Sequence, residues 1–185
     1  MPNFKSVIIS SSLVQDQEFL YPFYRLLEEE ISVDVFLYEN SLTKGFLGCS
    51  IPPNKDHPIK SFADLKDDNY DLLILPGGVK SMEKIRLEKN VLDFISEFNE
   101  KNKLIASICS AAQLLISSKV VKNRSISGYY SMKDDIINAG AKFVDSPFVI
   151  DKNIITSPHY KYVHIWMKET IKLLDKNFEI KKSEF

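Results

Sequence analysis

A cysteine held between two apolar runs is the residue in this chain best placed to do chemistry. Lys103-Leu104-Ile105-Ala106-Ser107-Ile108 reads as a buried strand and Ser110-Ala111-Ala112-Gln113-Leu114-Leu115 as the start of a helix, with Cys109 at the turn between them. Such an elbow holds a thiol at the carboxyl edge of a parallel sheet, where open α/β folds bind ligands, and aims a helix N-terminus at its sulfur. Only the thiolate attacks, so the site must lower the thiol pKa or protect the anion. Pro76-Gly77-Gly78 ends a second apolar run. The N–H groups of these glycines and of Ser110 could converge on an oxyanion formed at a carbonyl under attack. Glu18 falls just after the first strand, at the front of the first helix. Each feature also has a plain structural reading: a small buried hydrophobe, a tight turn, and an acid that favours a helix start for dipole reasons.

The other reactive side chains are scattered. His57 lies in a Pro-rich connection and His164 beside the apolar face of the last helix, and neither has metal-ligand spacing with Cys49, so no metal is expected. Pro76-Gly77-Gly78 matches neither phosphate-loop pattern, which leaves nucleotide binding unsupported. His159, in Ser157-Pro158-His159-Tyr160, titrates near neutrality and is a candidate pocket residue and base.

Around these residues, strand and helix patterns alternate. A strand over Phe4 to Ser10 precedes a helix over Asp16 to Glu30, where Pro22 either kinks the early turns or marks the true start. Val33 to Tyr38 and Asp71 to Leu75 are further strands, separated by an irregular connection over 41–60 and one short turn capped by Ser61. Asn90 caps a helix with Val91, Phe94, Ile95 and Phe98 on one face, which leads into the strand before Cys109. Beyond the elbow, the pattern gives a strand over Ile126 to Tyr130, a helix ended by Gly140, a hairpin around Asp151-Lys152-Asn153 and an amphipathic helix carrying Trp166. This order implies a three-layer α/β/α sandwich around a mainly parallel sheet.

Length and composition set the remaining bounds. With 185 residues, 44% hydrophobic and 26% charged, one domain over 1–177 is expected, followed by a frayed tail over 178–185. A formal net charge of -1 favours neither nucleic acid nor an anionic membrane as partner. No run approaches the roughly 18 apolar residues of a span, and the first apolar stretch is too short for a secretory leader, so a cytoplasmic protein with free thiols is expected.

Four blocks carry a family resemblance: Glu18-Phe19-Leu20-Tyr21-Pro22-Phe23-Tyr24-Arg25-Leu26, Leu73-Ile74-Leu75-Pro76-Gly77-Gly78, Ile105-Ala106-Ser107-Ile108-Cys109 and Lys133 to Ala141. In these and in their order the chain resembles the ThiJ/PfpI superfamily, which includes the Parkinsonism-associated deglycase, bacterial stress proteins and PfpI-type proteases. The resemblance implies a flavodoxin-like fold of the class I glutamine amidotransferase type, a homodimer or higher homo-oligomer, and no cofactor. It further implies that Cys109 is the nucleophile, that Glu18 hydrogen-bonds it, and that Gly78 and Ser110 supply oxyanion-hole N–H groups. A carboxyl donating to sulfur would require a raised Glu18 pKa beside a lowered Cys109 pKa.

Departures from the family pattern bear on the reaction. PfpI-type proteases resemble one another in a histidine after the cysteine, where this chain has Ser110, so a peptidase is the least expected activity. Relatives commonly place an arginine where Pro158 stands here, and His159 beside it could replace a missing base. Tyr129 matches a position that holds histidine or tyrosine in relatives and is a possible pocket residue. The resemblance therefore points to a cysteine-dependent enzyme of reactive carbonyls, glyoxalase-like or deglycase-like, in stress protection. Its alternatives are a non-catalytic redox sensor or chaperone and an isonitrile hydratase.

Overall fold

The structure, a computed structural model, describes residues 4–66 and 70–183, with side chains described through residue 176. Successive residues of the first strand, β1 (Lys5–Ser10), point alternately to opposite sides: Val7 and Ile9 enter one apolar cluster and Ile8 the other. That period of two makes a strand covered on both faces. The chain continues through α1 (Asp16–Glu28), β2 (Ser32–Leu37), the small hairpin β3 (Thr43–Lys44) and β4 (Ser50–Ile51), and the edge strand β5 (Ile59–Lys60). After β6 (Leu72–Leu75) come α2 (Val79–Ile85), α3 (Lys89–Glu100), β7 (Leu104–Ile108) and α4 (Ala112–Ser117). The last part holds β8 (Ser125–Ile126), α5 (Lys133–Asn138), β9 (Lys142–Phe143), the hairpin β10 (Val149–Asp151) and β11 (Ile154–Ser157), and α6 (Val163–Ser183).

Seven strands form one sheet in the order β10-β11-β7-β6-β1-β2-β5, parallel throughout except where β10 meets β11. Helices α2 to α5 contribute Met82, Phe94, Leu115 and Ile136 to the cluster on one face, and α1 and α6 contribute Phe19, Phe23, Trp166 and Met167 to the other. The result is the flavodoxin-like three-layer sandwich that the alternation implies. Each large apolar side chain buried in these clusters stabilises the fold by about 1.5–3 kcal/mol relative to exposure. From β1 the chain moves to β2 on one side and later returns to β6 on the other, so a crevice opens beyond the carboxyl ends of β1 and β6. Residues that follow β1, β6 and β7 are gathered there.

Several local expectations are revised. Pro22 lies inside α1, which begins at Asp16 and is capped by the Gln15 side chain accepting from the Glu18 N–H. Asn90 does not cap α3; that helix starts at Lys89, and the Asn90 amide donates to the Phe62 carbonyl at 2.7 Å. The expected strand over Ile126 to Tyr130 stops at Ile126, because the Tyr129 N–H turns away to donate to the Cys109 carbonyl at 3.1 Å. Helix α2 was not expected. Only Ser81, Met82 and Ile85 of its seven residues are buried, too few to show a period. The backbone of α6 is helical to Ser183, and the fraying expected over 178–185 falls on side chains and end residues outside those described.

Candidate functional site

Cys109 follows directly on β7 with a φ of +61°, in the left-handed region that a side chain with a Cβ enters at a cost of about 1–2 kcal/mol. Ile108 before it is extended, and the Tyr129 N–H fastens the Cys109 carbonyl from the far side, so the backbone must turn at this residue. The thiol is left half-buried. Beyond it a 3-10 turn over Cys109–Ala111 leads to the six-residue α4, so the helix behind the sulfur is shorter than expected and its dipole correspondingly weak.

Glu18 occupies the first turn of α1 and is fully buried. Its Oε2 accepts the Gly77 N–H at 2.9 Å, while Oε1 has no partner of ordinary hydrogen-bond geometry. The group its carboxyl meets is the Cys109 thiol. Burial pushes the Glu18 carboxyl up to about 7, against the lowering effect of the hydrogen bonds from Cys109 and Gly77. For Cys109 the direction is also upward: burial first, then the Glu18 charge, outweigh the N–H and hydroxyl of Ser110. This reverses the expected lowered thiol pKa. Two buried acids side by side do not both ionise, so the pair titrates as a unit and holds at most one negative charge near neutrality.

The glycines serve the site differently from expectation. A methyl on Gly77 would come within 2.6 Å of Glu18 Oε2 and 2.9 Å of Cys109 Cβ, so only glycine lets this strand end approach both. The Gly77 N–H is engaged by Glu18. That of Gly78, at a φ of +109°, donates to Ser110 Oγ at 2.8 Å, so neither N–H is open to an oxyanion. What faces the sulfur is Ser110, buried, through its backbone N–H and its hydroxyl.

A cavity of about 480 Å³ opens over Cys109 and Ser110. Tyr129, His159 and Tyr160 line it, with the His159 ring 4.1 Å from that of Tyr160 and stacked on Tyr129 at 6.0 Å. His159 Nδ1 accepts the Lys161 N–H at 3.1 Å, and burial together with Lys161 holds its pKa below the usual value. At neutral pH the ring is uncharged with its proton on Nε2, so it presents a donor and an aromatic face rather than a base. Sequence reasoning missed Phe46 and Leu47, which also line the cavity. Their signal was an adjacent apolar pair bracketed by Gly45 and Gly48. Cys49, exposed on the same connection, is not among the lining residues, and no three metal-ligating side chains converge among the described residues.

A strained cysteine elbow at the carboxyl edge of a parallel sheet, with a buried carboxyl against its thiol, defines a class of α/β proteins built around a nucleophile. Residues 5–173 match the DJ-1/PfpI family model, and the chain belongs to that family. It is 33% identical over 170 residues to the deglycase PfpI of Pyrococcus furiosus, covering 92% of this chain and 99% of the relative. Among solved structures, the DJ-1/ThiJ/PfpI-like part of a two-domain protein from Anabaena variabilis superposes with a TM-score of 0.87 at 27% identity, covering 94% of this chain and 48% of that one. Drosophila melanogaster DJ-1beta gives 0.82 at 24% identity, covering 94% and 90%, a likeness of fold. Among the described residues no helix is long and apolar enough to cross a membrane.

Proposed function

We propose that this protein is a thiol-dependent enzyme that converts reactive 2-oxoaldehydes to hydroxy acids, with Cys109 as nucleophile and Glu18 as general base. The observation that carries the reading is the Glu18 carboxyl, fully buried against the elbow thiol with its pKa raised to about 7, where a base is most effective at neutral pH. Deglycase relatives support a carbonyl as the group attacked. Glu18 takes the thiol proton as sulfur bonds to the aldehyde carbon, and the Ser110 N–H and hydroxyl hold the resulting oxyanion. Glu18 returns its proton to that oxygen, giving a neutral hemithioacetal, then carries the proton of the aldehyde carbon to the adjoining carbonyl carbon through an enediol, while the hydroxyl proton passes to the adjoining carbonyl oxygen. The product is a thioester with no external oxidant. Water, activated by Glu18, releases the hydroxy acid and restores the thiol; methylglyoxal plus water becomes lactate. A peptidase would need an imidazole base, and the acceptor nitrogen of His159 is already engaged.

Freshly reduced protein should form lactate from methylglyoxal, and no turnover would reject the reading. Ser110→Ala should lower kcat by about 10²-fold by removing one oxyanion donor, with Ser110→Thr retaining most of it. A rise in kcat would mean that the hydroxyl blocks the Gly78 N–H instead of replacing it.

A further inference from the structure

Asp16 is a second buried acid on the first turn of α1, two residues before Glu18, and the chemistry above does not use it. Its carboxyl also meets the side chain of Cys49, whose thiol pKa it raises. Its Oδ2 accepts the Leu47 N–H at 2.6 Å and its Oδ1 the Cys49 N–H at 2.9 Å. The same tip of the β3–β4 hairpin is tied down again where the Phe46 N–H donates to the Val14 carbonyl at 2.8 Å and the Leu13 N–H to the Lys44 carbonyl at 2.8 Å. A short loop so firmly bonded carries two large apolar side chains, Phe46 at 70% and Leu47 at 61% exposure, and both line the cavity over Cys109. Apolar side chains held out in solvent by a fixed backbone are poised to contact a ligand.

The rest of the lining agrees. Leu13, Val79, Tyr129 and Tyr160 add apolar and aromatic surface, Gln15 and Gln17 are uncharged, and Lys80 is the only charged side chain among the described lining residues. A cavity of about 480 Å³ is of the size that encloses a ligand with a ring, and a three-carbon oxoaldehyde would leave most of it unfilled. We propose that the hairpin tip clamped by Asp16 is the selecting wall of the site, and that the protein prefers oxoaldehydes bearing an aromatic or bulky apolar substituent to methylglyoxal. This preference rests on the carbonyl reaction proposed above. One helical turn then positions both the base and the wall, and Asp16 acts as a positioning residue through the tip that it holds.

The test uses Cys109 of the intact protein, with free glutathione as the reference thiol. Alkylation of each thiol by iodoacetanilide and by iodoacetamide is followed by peptide mass, and the ratio of the two rates cancels the intrinsic reactivity of the thiol. At Cys109 the ratio should favour the aryl reagent about 10-fold over the ratio for glutathione. Phe46→Ala, at an exposed position that leaves folding intact, should remove most of that preference, and so should Asp16→Asn. Hydrogen exchange at the Leu47 and Cys49 amides should quicken in Asp16→Asn and not in Phe46→Ala. With substrates, the kcat/KM ratio of phenylglyoxal to methylglyoxal should fall about 10-fold in both variants. Equal alkylation ratios for Cys109 and glutathione, or a Cys109 ratio unmoved by Phe46→Ala, would overturn the wall. Quickened exchange with an unmoved ratio would leave Asp16 a structural clamp and overturn its part in selection. Absence of turnover with the aryl preference intact would instead overturn the carbonyl reaction and leave the wall standing.

Discussion

Cys109→Ala should reduce lactate formation from methylglyoxal by at least about 10⁴-fold, to near the uncatalysed rate, while Cys49→Ala keeps it. The size of the effect follows from what remains. Without sulfur, Glu18 has no proton to take and the Ser110 donors have no oxyanion to hold, so parts that act as a unit fail together. Alanine also has a Cβ and keeps the left-handed strain at φ +61°, so the loss reports chemistry and not relief of the backbone. Cys109→Ser should be nearly as inactive, because a carboxylate with a pKa near 7 is far too weak a base for an alkyl hydroxyl. The measurement is lactate release by reduced protein, with folding checked by thermal melting. Retained turnover in Cys109→Ala would place the nucleophile elsewhere.

The elbow at Cys109 is legible in the sequence because both its arms are local: a buried strand and a helix start give their own patterns, and the thiol must fall between them. Glu18 is legible for a similar reason, since the front of a helix after a first parallel strand faces the same crevice. The role of Asp16 is not. Its hydrogen-bond partners include backbone N–H groups 31 and 33 residues away, which leave no mark on residue identity, and the space its carboxyl takes from Gly45 reads in sequence only as one more turn glycine. Pro76-Gly77-Gly78 signals close approach, but which acceptors approach depends on the neighbouring strand ends. The burial that governs the thiol pKa is hidden from the sequence in the same way. A helix dipole can be read from a pattern, whereas complete burial of a carboxyl against the sulfur exists only once three strand ends are brought together.

Glu18→Gln separates the base from its electrostatic burden and should change activity and stability in opposite directions. Turnover of wild-type protein should rise with pH through about 7 as the carboxyl ionises and becomes able to accept the thiol proton. Glutamine cannot accept it, so kcat should fall about 10²–10⁴-fold and the step near pH 7 should disappear. Stability should run the other way. The folded-state pKa of Glu18 is raised from 4.5 to about 7, so between these values the native protein keeps a proton that the unfolded chain has released. The stabilisation that comes from holding the neutral acid is complete below pH 4.5 and is lost as pH rises through about 7, a swing of about 3 kcal/mol. An amide has no such swing and can still accept the Gly77 N–H through its carbonyl oxygen. Relative to wild type, Glu18→Gln should therefore gain about 2–3 kcal/mol between pH 5 and pH 8, or about 5–10 °C in Tm for a chain of this size. Parallel melting curves at the two pH values would show whether the wild type destabilises itself to keep a base. A Tm difference that is the same at both would mean that Glu18 is not the group ionising near neutrality, and the proton transfer assigned to it would fall with that result.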